Sequence, residues 1–144
     1  MRTARWLVVA IALLGAAAAC RAEPIVDGKS SPFPVAIERS GGFAGVRQAM
    51  TVQETGAWSY ENVKGSATAE TGQLPTDQVQ AIVRVLTDAG LRGEISDARP
   101  DPGCSDAFLY SLTVQGERHV FEDCGKLGPL LQALLTALRE GTPF

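Results

Sequence analysis

The sequence is poor in the residues that most often hold metal ions, with one histidine and three cysteines among its 144 residues. It contains no HExxH, P-loop or paired CxxC motif, each of which sets ligating or phosphate-binding groups at a fixed spacing. It also lacks the GxSxG motif that exposes a nucleophilic serine. We therefore expect a protein that is not an enzyme and that needs no metal and no cofactor. A hydrolase that uses His119 is the weaker alternative.

Basic side chains are scarce as well. The chain has 13 Lys and Arg against 16 Asp and Glu, which gives a net charge of −3. Residues 1–19 contain Arg2 and Arg5 but no acidic residue, so without them the net charge falls from −3 to −5. Nucleic-acid binding depends on clustered basic side chains that neutralise phosphates. We therefore expect no nucleic acid among the partners.

The N-terminus has the pattern of an export signal. Arg2 and Arg5 precede an uninterrupted apolar run from Trp6 to Ala19, which ends in small residues. A basic start, an apolar stretch and a small-residue cleavage site are typical of secretory signals. The run is shorter than the roughly 20 apolar residues of a transmembrane helix. We expect residues 1–19 to be a signal peptide and the protein to be exported.

The small residues end at Cys20, which resembles the lipid-bearing cysteine of a bacterial lipobox, although lipoboxes usually have Leu where this chain has Ala17. We expect a lipid on Cys20 that anchors the protein to a membrane of the cell envelope. Cleavage at a plain Ala-x-Ala site, which releases a soluble secreted protein, is the alternative. Residues 20–33 are rich in Pro, Gly and Ser and are expected to be a flexible linker.

The number of cysteines favours one disulfide. With Cys20 acylated, Cys104 and Cys124 remain as a pair in an exported protein, where an oxidising compartment favours the bond. A redox-active pair of free thiols is the alternative, although the spacing is not CxxC.

Hydrophobic periodicity predicts one folded domain over residues 34–144. Alternating apolar residues predict strands at 35–39, 46–53, 57–63, 108–114 and 118–122. Apolar residues three and four apart predict a helix with Thr76 as N-cap that stops at Gly90, and a second helix over 127–139. Residues 91–103 are expected to be irregular. These elements predict an α+β fold, an antiparallel sheet of four or more strands with two helices packed on one face.

The glycine-rich loop between the first two strands is the candidate binding site, formed by Ser40, Gly41, Gly42, Phe43, Ala44 and Gly45. Phe43 is flanked there by residues with little or no side chain. If Phe43 points outward, it can enter a partner's pocket while the nearby backbone pairs with the partner. If it folds back, it caps the sheet and the glycines only form the turn. The residue pattern leaves both alternatives open.

Other polar side chains are expected to have ordinary structural positions. His119 lies on a predicted strand and is expected to be half-exposed. The neighbouring Glu122 and Asp123, and likewise Asp97 and Asp101, are interpreted as solvated surface charge, since neither pair has the spacing of an EF-hand.

Three segments resemble the emfourin (protealysin inhibitor) family, small protein inhibitors of thermolysin-like metalloproteases. Residues 37–46 are similar to the family's strand that ends in Arg-Ser-Gly-Gly-Phe-Ala-Gly, and residues 74–86 resemble its first helix. Residues 106–119 resemble its Asp-x-Phe-x-Tyr-x-Leu-Thr-Val hairpin. The resemblance covers about residues 35–138.

This resemblance implies an inhibitor that blocks a protease's active-site cleft sterically and contributes no catalytic group. It implies that Phe43 fills an apolar pocket beside the zinc while the backbone of Gly41, Gly42 and Gly45 lies along the cleft. A cell-envelope lipoprotein that acts as a binding or scaffold module, with no protease target, is the alternative.

Overall fold

The computed structural model describes residues 23–62, 69–125 and 127–144. These residues form six strands and three helices, so the predicted α+β class is confirmed. In chain order the elements are β1 (Val35–Gly41), β2 (Val46–Val52), β3 (Ala57–Asn62), β4 (Ala69–Gln73), α1 (Thr76–Leu86), α2 (Leu91–Asp97), β5 (Phe108–Val114), β6 (Glu117–Glu122) and α3 (Pro129–Arg139).

The six strands form one antiparallel sheet in the order β4-β3-β2-β1-β5-β6. Strand β1 lies between β2, to which the glycine-rich loop joins it, and β5. At its far end Gly41 pairs with Val46 of β2 on one side and with Phe108 of β5 on the other. The turn that follows Gly41 therefore lies beside the segment that leads into β5.

Alternating side chains give the sheet two different faces. One face supplies buried residues to the core, the helices supply others, and Ile25, Val26, Leu74 and Phe144 come from segments outside these elements. The largest are Ile37, Met50, Tyr110, Leu112 and Phe121 from the strands and Ile82, Leu86, Leu91, Leu131, Leu134 and Leu138 from the helices. The opposite face, called the open face below, carries mainly polar and small side chains, among them Ala36, Glu38, Ser40, Arg47, Ala49 and Thr113, and one larger apolar side chain, Leu109. The predicted arrangement of helices on one face of the sheet is therefore confirmed, with a third helix added.

Helix α2 occupies part of the segment that was expected to be irregular, and it determines where α3 begins. The carboxylate of Glu94 in α2 accepts hydrogen bonds from the backbone amides of Leu130 (3.1 Å) and Leu131 (2.9 Å). These amides have no hydrogen-bond partner inside the helix. A negative charge near a helix N-terminus also interacts favourably with the helix dipole. This cap and the proline at the first helical position both stabilise a start at Pro129, and not at residue 127 as predicted.

The predicted ends of α1 need correction. Pro75 occupies the N-cap position and Thr76 is already helical, with no side-chain hydrogen bond that caps the helix. At the other end the helix stops at Leu86, before Gly90, and the Thr87 hydroxyl donates to the carbonyl of Val83 at 2.9 Å.

Strand β4 was not predicted. All its residues are exposed, and it pairs only with β3, with Gly72 opposite Trp58. A polar strand at the edge of a sheet has no buried face, so it shows no alternation of apolar and polar residues. The predicted third strand is confirmed through Asn62, and its last residue, Val63, lies outside the described residues.

The prediction of a flexible linker over residues 20–33 is wrong for the part from Ile25 onward. Ile25 and Val26 are buried in the hydrophobic core. Further along, Gln115 donates through Nε2 to the hydroxyl of Ser30 (2.7 Å) and to the carbonyl of Ser31 (3.1 Å). This segment therefore packs against the domain, because the burial of Ile25 and Val26 is more favourable than their exposure to water in a free tether.

The predicted signal peptide and Cys20 lie outside the described residues. Within the described ranges, no helix has both the length and the apolar character needed to cross a bilayer.

Candidate binding site

The candidate site is a tight reversal between β1 and β2. The amide of Gly45 donates to the carbonyl of Gly42 at 2.9 Å, which closes the turn over two intervening residues. Three glycines have positive φ angles, 103° at Gly41, 66° at Gly42 and 57° at Gly45. Residues with a side chain are strained in this region, so the glycines permit a reversal that other residues would resist.

Phe43 stands at the tip of this turn and points into solvent. Its side chain is 98% exposed, so the alternative in which it folds back to cap the sheet is excluded. Burial of a phenylalanine side chain is worth about 1.5–3 kcal/mol relative to exposure. A partner that encloses Phe43 therefore gains a contribution that the isolated domain leaves unused.

The base of the turn is held by the segment that precedes β5. The amide of Gly42 donates to the carbonyl of Ala107 at 3.0 Å. A Cβ atom at Gly42 would lie 2.7 Å from Cε1 of Phe108, and one at Gly41 would lie 2.7 Å from the Ala107 oxygen. The two glycines thus serve a close approach between segments as well as the turn itself.

An arginine supports this contact from the core side of the sheet. The guanidinium of Arg39 lies 4.9 Å from the centroid of the Phe108 ring and 5.4 Å from that of Phe144. Its Nε also donates to Oε1 of Gln48 at 2.9 Å. Cation–π and hydrogen-bond contacts of this kind restrain the Phe108 ring against which the turn packs.

Asp123 is part of a polar network at the same end of the sheet. Its carboxylate accepts the amide of Phe108 (2.7 Å) and the hydroxyl of Tyr110 (3.2 Å), and Arg139 donates to the Tyr110 oxygen at 2.8 Å. Burial raises the pKa of the Tyr110 phenol, so the hydroxyl remains a donor. The interpretation of Asp123 as solvated surface charge is therefore wrong.

Glu122 also departs from the expected surface position. Its side chain is buried, and Oε1 accepts the amide of Asp101 at 2.6 Å. This bond fixes the chain that leads to Cys104. Asp97 and Asp101 are exposed, as expected.

A disulfide joins Cys104 to Cys124, which confirms the predicted pair. The sulfur atoms lie beside the Glu122 carboxylate, but sulfurs joined in a disulfide are not the thiolates that bind metals. The disulfide ties the segment from Cys104 to Ala107, which lies next to Gly42, to the residues that follow β6. The covalent link and the turn therefore belong to one contiguous structure.

His119 lies elsewhere and was placed wrongly by the sequence. It is 8% exposed instead of half-exposed, and its Nε2 has no hydrogen-bond partner in the described structure. Burial lowers the pKa of the ring below its usual 6.5, the Glu117 carboxylate at 3.9 Å opposes this shift, and Arg92 adds to it. His119 pairs with Leu112 in the sheet, several residues from the turn. It therefore contributes nothing to the candidate site.

The structure brings together all six predicted site residues, Ser40 to Gly45, and places Ala107 and Phe108, which were not among the predicted site residues, against them. Nothing in the local sequence marks these two residues, because the contact depends on the pairing of β1 with β5. In comparisons with known proteins, no family model matches the chain, and no curated protein matches it.

Proposed function

We propose that this protein is a proteinaceous inhibitor of thermolysin-like zinc metalloproteases that blocks the active-site cleft sterically. The observation that carries the proposal is Phe43, 98% exposed at the tip of a turn that is fixed at its base. In this mechanism the Phe43 ring enters the apolar pocket beside the zinc, and the backbone of Gly41, Gly42 and Gly45 lies along the cleft. The inhibitor supplies no catalytic group.

The restraints at the base of the turn support this mechanism. Binding costs free energy when a flexible loop must be ordered, and a preformed loop avoids most of that cost. Here the bond from Gly42 to Ala107 and the packing on Phe108 hold the turn before any partner arrives. An exposed aromatic anchor on a rigid support is a common feature of tight protein–protein contacts.

The proposal includes a place for the protein in the cell. Residues 1–19 act as a signal peptide, and a lipid on Cys20 anchors the folded domain to a membrane of the cell envelope. The target is then a protease outside the cytoplasm. Metabolic labelling with a radioactive fatty acid tests the anchor: the wild type incorporates the label and Cys20→Ala does not. An unlabelled wild-type protein in the medium supports plain secretion instead.

Titration against thermolysin tests the inhibitory function directly. The chain from residue 21 onward lacks the predicted signal and Cys20 but keeps the described hydrophobic core, which runs from Ile25 to Phe144. We expect this protein to reduce hydrolysis of a short peptide substrate, and to do so competitively. Full activity at a large molar excess contradicts the proposal and favours the second candidate, an envelope binding or scaffold module with no protease target.

A further inference from the structure

Leu109 is the second exposed large hydrophobic residue of the described structure. Among the described residues, only Phe43, at 98%, and Leu109, at 38%, are exposed large hydrophobic residues. They come from segments that are far apart in the sequence. Exposed apolar side chains that converge on one end of a small domain point to an interaction surface more strongly than scattered ones.

The sheet register brings the two residues to the same end of the molecule. Leu109 of β5 pairs with Ser40 of β1, and Ser40 pairs with Arg47 of β2. Because paired residues point to the same side of a sheet, these three side chains form one row on the open face. Ser40 precedes the turn that carries Phe43, so the row lies directly beside the turn.

The row has a defined chemical character. On one side, Leu109 pairs with Glu122, whose buried side chain is held by the amide of Asp101, so the row ends at the disulfide-linked segment. On the other side, Arg47 is exposed and forms no ion pair with a described residue. The row thus presents an apolar centre with an unpaired guanidinium at its flank.

We infer that Arg47, Ser40 and Leu109 form a second contact surface, which binds the rim of the same protease cleft that receives Phe43. The inference rests on the proposed function. The complementary rim is apolar opposite Leu109 and carries a carboxylate opposite Arg47, since a guanidinium that loses water on docking needs a charged acceptor. Phe43 occupies the pocket, and the row determines which proteases with such a pocket are bound tightly.

Three substitutions in the chain from residue 21 onward test this surface, with thermolysin as the probe. Leu109→Ala removes the apolar centre and Arg47→Gln removes the charge. Thr113→Ala is the matched control, because Thr113 lies on the same strand and face as Leu109, about 13 Å away at 3.3 Å per residue. We expect the inhibition constant to rise about tenfold for Leu109→Ala and about threefold for Arg47→Gln, with no change for Thr113→Ala.

Leu109→Met guards against a loss of inhibition through misfolding, because it keeps an apolar side chain of similar volume and should inhibit like the wild type. If the wild type inhibits and either Leu109→Ala or Arg47→Gln inhibits equally well, this inference is overturned while the proposed function stands. If the wild type does not inhibit at all, the proposed function fails and this inference fails with it.

Discussion

The backbone amide of Gly42 donates a 3.0 Å hydrogen bond to the carbonyl oxygen of Ala107. This bond joins the turn that carries Phe43 to the segment that the disulfide of Cys104 closes. The turn that carries the exposed ring is therefore held by a contact from a distant part of the chain, and disturbing that segment should change binding as well as stability.

Gly42→Ala should weaken inhibition, because the new Cβ would lie 2.7 Å from the Phe108 ring and the φ angle of 66° is unfavourable for alanine. Gly116→Ala is the matched control: this hairpin glycine has a φ of 80°, but nothing lies within 4 Å of its Cβ position. Both variants should lose about 1 kcal/mol of stability from backbone strain. Measured inhibition constants should rise only for Gly42→Ala, and an equal rise in both variants would argue against a role for the Phe108 contact.

Loss of the disulfide should lower stability and loosen the turn together. In the chain-entropy model, a loop of the 20-residue separation between Cys104 and Cys124 is worth about 3 kcal/mol. Urea unfolding of Cys104→Ser/Cys124→Ser should show this loss, and its inhibition constant should rise because Ala107 is less well held. A thiol reductant should reproduce both effects in the wild type and do nothing to the double variant. Unchanged inhibition after reduction would show that the turn is independent of the disulfide.

Stability should decrease in mild acid because of His119. Burial lowers the pKa of its ring in the folded state, so below about pH 6.5 the unfolded chain binds a proton that the folded chain resists. The contribution of His119 to the free energy of unfolding should therefore be fully present above the unfolded-state pKa. The free energy of unfolding should fall as the pH decreases below that pKa. Urea unfolding at about pH 7.5 and about pH 5.5 measures this effect. His119→Phe should remove most of the difference, and a variant that retains all of it would assign the pH dependence to other groups.

The sequence predicted elements whose side chains follow a simple period. The strand that carries Met50 and the strand that carries Trp58 and Tyr60 alternate buried and more accessible residues at these positions. In the strand that carries Leu112 the apolar residues alternate in the sequence, although Ser111 is buried as well. Burial of one face imposes this alternation, so it is visible without the structure. The pairing of Cys104 with Cys124 could likewise be predicted from the number of cysteines.

The elements that were missed depend on tertiary contacts. Strand β4 has no buried face, and α2 is a seven-residue helix that contains Gly93 and is stabilised through Leu91 and Ile95 in the core. The cap that Glu94 provides for α3 joins two helices that are far apart in sequence. No local pattern reports such contacts, because the same residues in another context would be solvated.

The candidate site could be predicted only in part, because it too depends on tertiary contacts. The glycines around Phe43 indicate a tight turn from the sequence alone, but the contact that holds the base of the turn depends on the approach of Ala107 and Phe108. The burial of Glu122 depends on its bond to the Asp101 amide, which joins residues 21 apart. Local charge patterns therefore described Glu122 and Asp123 wrongly as surface groups.

The inhibition constant of Phe43→Ala against thermolysin, measured beside the wild type, tests the central claim most directly. Because the ring is 98% exposed, the variant should keep the wild-type melting temperature, and Phe43→Leu should retain most of the inhibition. The account predicts that Phe43→Ala raises the inhibition constant about a hundredfold, as expected for a buried aromatic anchor at an interface. An inhibition constant equal to that of the wild type would contradict it.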